Sequence, residues 1–369
     1  MNRVQTGVET IVEAKDLTVA YGEQKVLDVP SIQVYRNEVL VIIGPNGSGK
    51  TTLLLCLSRL IKPLTGTVSY RGVPVLDSKS MLQLHRKLAV VFQESLLLNS
   101  TVWDNVILGL KLRGMKGPEV RERAQKWLER FGIAALARRH ARTLSSGEAK
   151  RTSLARAFAL QPEVLFLDEP FTALDSPTRQ ALLEDFESVL KETRVTTVMV
   201  THDRNEALVL ADRVVVLMKG RIGQIGTSAE VFSSPVNEEV AGFVEAGNIM
   251  HGVVVTQSEG LATIKVEGQQ IEACSEFPAG TRVVALLPYD DITITMPSSE
   301  TVNTSARNRL SGEVGRVFSM GSQVRVTINC GFPLVALVTR RSTEEMGLEK
   351  GTRVYATFKA VSIRVIRRH

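Results

Sequence analysis

The chain has 369 residues, more than one hydrophobic core usually spans, so two or more domains are expected. At 44% apolar and 23% charged it is an ordinary globular composition, and no run approaches the roughly 18 apolar residues that a membrane-crossing helix needs. The net charge of +6 is spread along the chain without a basic stripe, which speaks against nucleic acid as a partner, and the N-terminus lacks a signal-peptide core, so a cytosolic chain is expected.

Residues 11–43 alternate apolar and polar positions, are rich in Val and Ile, and end in the apolar run VLVII, which is the language of strands. The next residues, 44–52, read GPNGSGKTT. A G-x-x-x-x-G-K-T pattern directly after a buried strand and before a helix is a phosphate-binding loop. Gly44, Gly47 and Gly49 let the backbone turn and aim its N–H groups inward, and the helix start that follows is an anion site. In this reading Lys50 reaches the β- and γ-phosphates of a nucleoside triphosphate and the Thr51 hydroxyl ligates Mg²⁺.

After a helix, GTVSYRG and LAVVFQ read as further strands, and from Ser95 to about Ala159 the pattern turns helical. Over residues 118–131, Val120, Ala124, Leu128 and Phe131 fall on one helical face, and Pro118 suits a first turn. Strands return at residues 164–167, 195–200 and 214–218, with a helix over 178–192 between the first two. Alternating apolar strands and helices imply a largely parallel sheet covered on both faces.

Asp168 ends one of those strands and Glu169 follows at once. A carboxylate there can hold Mg²⁺, and its neighbour can orient and deprotonate an attacking water. Ser145, Ser146, Gly147 and Glu148 precede a helix and offer hydroxyls and N–H groups to an anion.

With these residues in this order, the chain resembles the ATP-binding subunit of an ABC transporter over about residues 11–244. Gly44, Pro45, Asn46, Gly47, Ser48, Gly49, Lys50, Thr51 and Thr52 match the Walker A loop, Gln93 the Q-loop, and Leu144 to Glu148, with Ser145, Ser146 and Gly147 between them, the signature loop. Asp168 matches the end of Walker B, Glu169 the catalytic glutamate, Asp175 the D-loop and His202 the switch histidine, while Tyr21 matches the aromatic that stacks on adenine. Ser146 departs from the family pattern, which usually has glycine there. The resemblance implies a P-loop ATPase with a helical subdomain at about residues 94–159. It implies ATP and Mg²⁺ as cofactors, catalysis by Glu169, His202 and Lys50, and Mg²⁺ near Thr51, Gln93 and Asp168. It further implies a head-to-tail homodimer, an integral membrane permease, a solute-binding protein outside the membrane acting indirectly, and a peripheral place on the cytoplasmic face of the membrane.

Beyond about Val244 the texture becomes short alternating strands with Gly and Pro turns, read as an all-β domain over 245–369 built of two small OB-like barrels, about 248–300 and 305–369. The two halves repeat. Asn248, Met250 and Gly252 line up with Asn308, Leu310 and Gly312 sixty residues later, and GTRV at 280–283 with GTRV at 351–354, seventy-one later. The second copy thus holds eleven more residues, expected as a short helix over 339–349. The tail resembles the TOBE or Mop-type modules of oxyanion importers. Ser305, Ala306, Arg307 and Asn308 resemble the oxyanion motif of that module, whereas the first copy reads Glu245-Ala246-Gly247-Asn248, so only the second is expected to bind an anion. A dimerisation or regulatory barrel with no ligand stands beside that reading.

The function expected is ATP hydrolysis driving import of molybdate or tungstate, with sulfate behind them. An importer of sugar, polyamine or iron is the alternative within the same class. A soluble ABC ATPase acting on nucleic acid would generally carry two Walker A loops, and one is present here. The three cysteines, Cys56, Cys274 and Cys330, lack metal or disulfide spacing and are expected as buried or half-buried thiols.

Overall fold

The computed structural model describes residues 9–297 and 304–368. The chain divides into two compact units, Met1–Ala229 and Glu230–His369. In the first, strands β1 (Thr10–Tyr21), β2 (Gln24–Tyr35), β4 (Thr65–Tyr70) and β5 (Val73–Pro74) form an antiparallel sheet in the order β2-β1-β4-β5. A second sheet has the order β10-β9-β3-β8-β7-β6, from β3 (Val39–Ile43), β6 (Leu88–Val91), β7 (Val164–Asp168), β8 (Thr196–Val200), β9 (Arg213–Met218) and β10 (Arg221–Thr227). It is parallel except for β10. Strands β7 and β8 are buried along their whole length, as a parallel sheet covered on both faces requires. Helix α1 (Lys50–Leu57) buries Leu53, Leu54, Cys56 and Leu57 in the core that both sheets share. Helix α2 (Ser78–His85) precedes β6.

The helical segment resolves into α3 (Val102–Leu112), α4 (Pro118–Arg130) and α5 (Ser146–Ala159), with two single 3-10 turns between α4 and α5. Residues 94–101, expected at the edge of this helical stretch, form a loop. Trp127 and Phe131 pack on Phe158 with ring centroids 4.8 and 5.7 Å apart, which ties α4 to α5. Helix α6 (Ser176–Thr193) and the short α7 (Arg204–Leu210) flank β8 in sequence.

The second unit begins earlier than the expected residue 245. Helix α8 (Ser228–Ser233) spans the division and α9 (Glu238–Phe243) follows it. Ala241 of α9 is buried with Val284, Leu286 and Ile366, so burial draws this helical stretch to the β unit although its composition resembles what precedes it.

The repeats form β11 (Asn248–Ser258), β12 (Leu261–Val266), β13 (Gln269–Cys274), β14 (Arg282–Leu287) and β15 (Thr293–Thr295), then β16 (Asn308–Met320), β17 (Gln323–Asn329), β18 (Pro333–Thr339), β19 (Arg353–Phe358) and β20 (Arg364–Arg367). Helix α10 (Arg340–Glu345) lies where the extra residues of the second copy were expected. Each repeat builds a five-stranded antiparallel sheet, but the last strands are exchanged: β15 pairs with β19 and β20 with β14. A single core runs through both sheets, from Val254 and Ile264 to Val326 and Phe358. Asn248 and Asn308 mirror each other. Asn308 Nδ2 donates to Glu272 O at 2.8 Å and its Oδ1 accepts from Glu272 N at 2.7 Å, while Asn248 holds Val335 in the same way at 2.9 and 2.7 Å. Each amide thus stands in for one step of a strand ladder at the open edge of the other repeat's sheet, on β13 and β18. Cys56 and Cys330 are buried as expected; Cys274, at the end of edge strand β13, is exposed.

Candidate functional site

Residues 44–49 join β3 to α1, and sterics dictate the glycines. A Cβ on Gly44 would stand 2.2 Å from Leu217 O and 2.7 Å from Ser48 Oγ. Gly49 has φ +97° and a Cβ there would meet Leu27 Cδ2 at 2.7 Å, while Gly47 has φ +77°. Gly49 caps α1 without a side-chain bond, so the first-turn amides of the helix are left for a ligand. The Ser48 hydroxyl is buried with no partner among the described residues. Lys50 is buried, and its Nζ donates to the Gly44 and Pro45 carbonyls at 3.0 Å each. Burial pulls its pKa down, against the attraction of Glu169 and Asp168.

Asp168 closes β7 and accepts from Thr51 Oγ1 at 3.0 Å. Burial pushes its carboxyl up, the Thr51 bond opposes that, and the Glu169 charge adds to it. The chain then turns through a left-handed φ of +45° at Glu169, whose N–H donates to Val200 O at 2.9 Å. This bend carries the Glu169 carboxylate to Thr172 Oγ1 at 3.0 Å and His202 Nδ1 at 3.2 Å. His202 follows β8 and is 54% exposed at its side chain, so it can face a ligand while held from behind. The hold comes from Thr201: its N–H donates to Ile42 O at 3.1 Å, and its hydroxyl donates to the buried Glu206 at 2.5 Å. Asp203 caps α7 and accepts from Arg179, which also donates to the Leu174 carbonyl.

Lys50, Thr51, Asp168, Glu169 and His202 are thereby linked through hydrogen bonds and charge at the C-terminal ends of adjacent parallel strands, where such sheets place ligands. No three His, Cys, Asp or Glu side chains among the described residues form a metal cluster of their own. The hydroxyl and carboxylate of Thr51 and Asp168, with the orphaned Ser48 hydroxyl in the same loop, fit Mg²⁺ that shares its shell with phosphate oxygens.

The other expected residues stand apart. Tyr21 ends β1 and is 58% exposed, as a stacking platform would be. Asp175 caps α6, accepting from Thr178 N at 3.2 Å. Ser145 and Glu148 form a capping box at the start of α5, and Glu148 also pairs with Arg139 at 3.2 Å; they bond there, not to Lys50, Asp168 or His202. Ser146 is exposed, and a Cβ on Gly147 would meet Thr178 Cγ2 at 2.8 Å. Gln93 is exposed, with its carbonyl accepting from Lys150. Sequence reasoning missed Lys150, Arg179, Thr201 and Glu206. The Asp two residues after Thr201, a helix-cap signal, was the available cue for the last pair.

In the second unit three of the expected oxyanion residues already hold partners. Arg307 pairs with Glu272 at 3.1 Å, the buried Asn308 amide is committed to the Glu272 backbone, and Ala306 N donates to Thr304 Oγ1 at 3.2 Å. Ser305 is exposed.

Known proteins match this arrangement along its length. The ABC transporter family matches residues 27–172 and the TOBE domain family residues 304–365. A molybdate/tungstate import ATP-binding protein of Pyrococcus horikoshii is 38% identical over 96% of this chain and 99% of its own. A sulfate/thiosulfate import ATP-binding protein of Mycobacterium tuberculosis is 33% identical over 92% of this chain and 90% of its own. A solved dimeric ATP-binding cassette, in a post-hydrolysis state with ADP and Pi, superposes with a TM-score of 0.55 at 31% identity, covering 59% of this chain and 99% of that one.

Proposed function

This chain belongs to the ATP-binding subunits of ABC transporters, and from that premise we propose that it powers uptake of molybdate or tungstate through a separate membrane permease. It is an ATPase that binds ATP. The observation that carries the catalytic reading is the linked set Thr51–Asp168 and Glu169–His202 beside the phosphate loop. Lys50 and the first-turn amides of α1 bind the phosphates, and the Ser48 hydroxyl finds its partner there. Thr51 and Asp168 would hold Mg²⁺, which would neutralise charge on the phosphates, and Gln93 is the further ligand that the family resemblance implies. Glu169 accepts the proton of the attacking water, and His202 steadies its carboxylate. Tyr21 stacks on the base.

Ser145 and Ser146 are exposed in their own chain, which supports a role for residues 145–148 across a head-to-tail homodimer, over ATP held by the other copy. The permease docks on the helical subdomain. A groove of about 410 Å³ lined by Leu60, Leu88, Leu108, Leu112 and Leu160 supports an apolar seat for it, and that docking would keep the subunit at the cytoplasmic face of the membrane. The solute-binding protein acts only through that permease.

Likeness to the molybdate/tungstate relative over nearly the whole of both chains supports the cargo, and the sulfate/thiosulfate relatives keep sulfate as the second reading. An oxyanion on the second unit would have to draw Arg307 from Glu272. The test is ATP-dependent uptake by the subunit assembled with its permease. Molybdate or tungstate should enter in preference to sulfate, and uptake of sulfate alone overturns the cargo. Glu169→Gln should keep ATP binding and lose at least about a hundredfold in turnover; near wild-type turnover would remove Glu169 from catalysis.

A further inference from the structure

Helix α5 carries three donors spaced three residues apart, Lys150, Ser153 and Arg156, and all three are spent on one short stretch of main chain. Lys150 Nζ donates to Gln93 O and, at 3.4 Å, to Phe92 O. Ser153 Oγ donates to Ser95 O at 2.6 Å, and Arg156 to Ser95 O at 3.3 Å and Leu96 O at 3.1 Å. Lys150 and Ser153 are buried. The stretch bends through a left-handed φ of +38° at Leu96, and its far end is held from α3, where Asn105 accepts from Leu98 N at 2.7 Å and donates to Leu98 O at 3.2 Å. The loop thus hangs between side chains of two helices.

We propose that Lys150, Ser153 and Arg156 are positioning residues that lock the Gln93 loop to the signature helix, so that a movement of Gln93 reaches Ser145 to Gly147 as a rigid displacement of α5. The clamp takes hold of carbonyls and no loop side chain, so it follows the path of the backbone whatever residues occupy it. Lys150 lies one turn beyond the opening turn of α5 that carries Ser146 and Gly147, and a helix of this length transmits a push along its axis without bending. The inference rests on the reading that Gln93 responds to bound nucleotide.

Lys150→Met keeps the stem and removes the donor, whereas Lys150→Gln keeps a donor. In the full chain, Lys150→Met should lower kcat about tenfold or more with the ATP dissociation constant unchanged, because a misplaced group costs rate and not ground-state binding, and Lys150→Gln should recover most of the loss. Hydrogen exchange in a Glu169→Gln background reads the coupling directly. MgATP should slow exchange over both 92–97 and 145–149 in the parent, and only over 92–97 once Lys150→Met is added. Should Lys150→Met unfold the protein, Ser153→Ala serves in the same two assays. Unchanged kcat, or protection at 145–149 that survives the substitution, overturns the clamp. A parent with no ATPase activity and no ATP-induced protection would instead overturn the catalytic reading on which it rests.

Discussion

Glu206 is a carboxyl buried behind His202, and replacing it by glutamine should stabilise the ATPase unit in a pH-dependent way. Burial raises its pKa from 4.5 to about 7, opposed by the Thr201 hydrogen bond and by Arg179 and His202, and reinforced by Asp203. A carboxyl with a raised pKa in the fold binds protons that the unfolded chain has released. Stability therefore falls as pH rises from about 4.5 to about 7, and is level above that. At pH 8.5 the full shift applies, about 3 kcal/mol of destabilisation, and at pH 5.5 only about 1 kcal/mol of it. Glutamine accepts the same Thr201 bond without a charge, so Glu206→Gln should gain about 2 kcal/mol on wild type between pH 5.5 and 8.5. Both tryptophans, Trp103 and Trp127, lie in the first unit, so guanidinium unfolding followed by tryptophan emission isolates it. Titrating groups that do not interact with Glu206 contribute equally to both proteins and cancel in the difference. A variant-minus-wild-type stability that stays flat across this pH range refutes the buried-carboxylate argument, whatever its absolute size.

Gly44→Ala should abolish ATP binding in equilibrium dialysis, because its Cβ would fall 2.2 Å from the Leu217 carbonyl, a backbone atom that cannot step aside; wild-type affinity would contradict this. Asn308→Ala and Asn248→Ala should each destabilise the second unit by about 1–3 kcal/mol in calorimetry, since each strands one N–H and one carbonyl on the facing edge strand. A neutral result for either would show that water replaces the amide.

What the sequence discloses and what it hides divide along the range of the forces involved. The phosphate loop is legible because its cause is local: a strand, three glycines forced by φ or by neighbouring atoms, and a helix all lie within 39–57. Asp168, Glu169 and His202 are legible one step less directly, as residues at the ends of apolar strands; that β7 and β8 are neighbours is what lets Glu169 meet His202 at 3.2 Å. The clamp from α5 leaves no trace in the loop it grips, since main-chain carbonyls are the same for every residue. The repeat in the second unit is visible as matched GTRV segments, yet alignment compares each copy with itself in register and cannot report that β15 and β20 complete each other's sheets. Asn308 makes a further contact between the repeats. It sits in a motif that resembles an anion site, but its partner at the matching position, Asn248, makes the same bonds to the opposite edge strand with no Ser or Arg in the three residues before it. A residue that both copies use identically answers to the shared architecture. Anion recognition, if it belongs to one copy alone, must then fall to what that copy does not share, and Arg307, held by Glu272, is the side chain whose release would have to be detected.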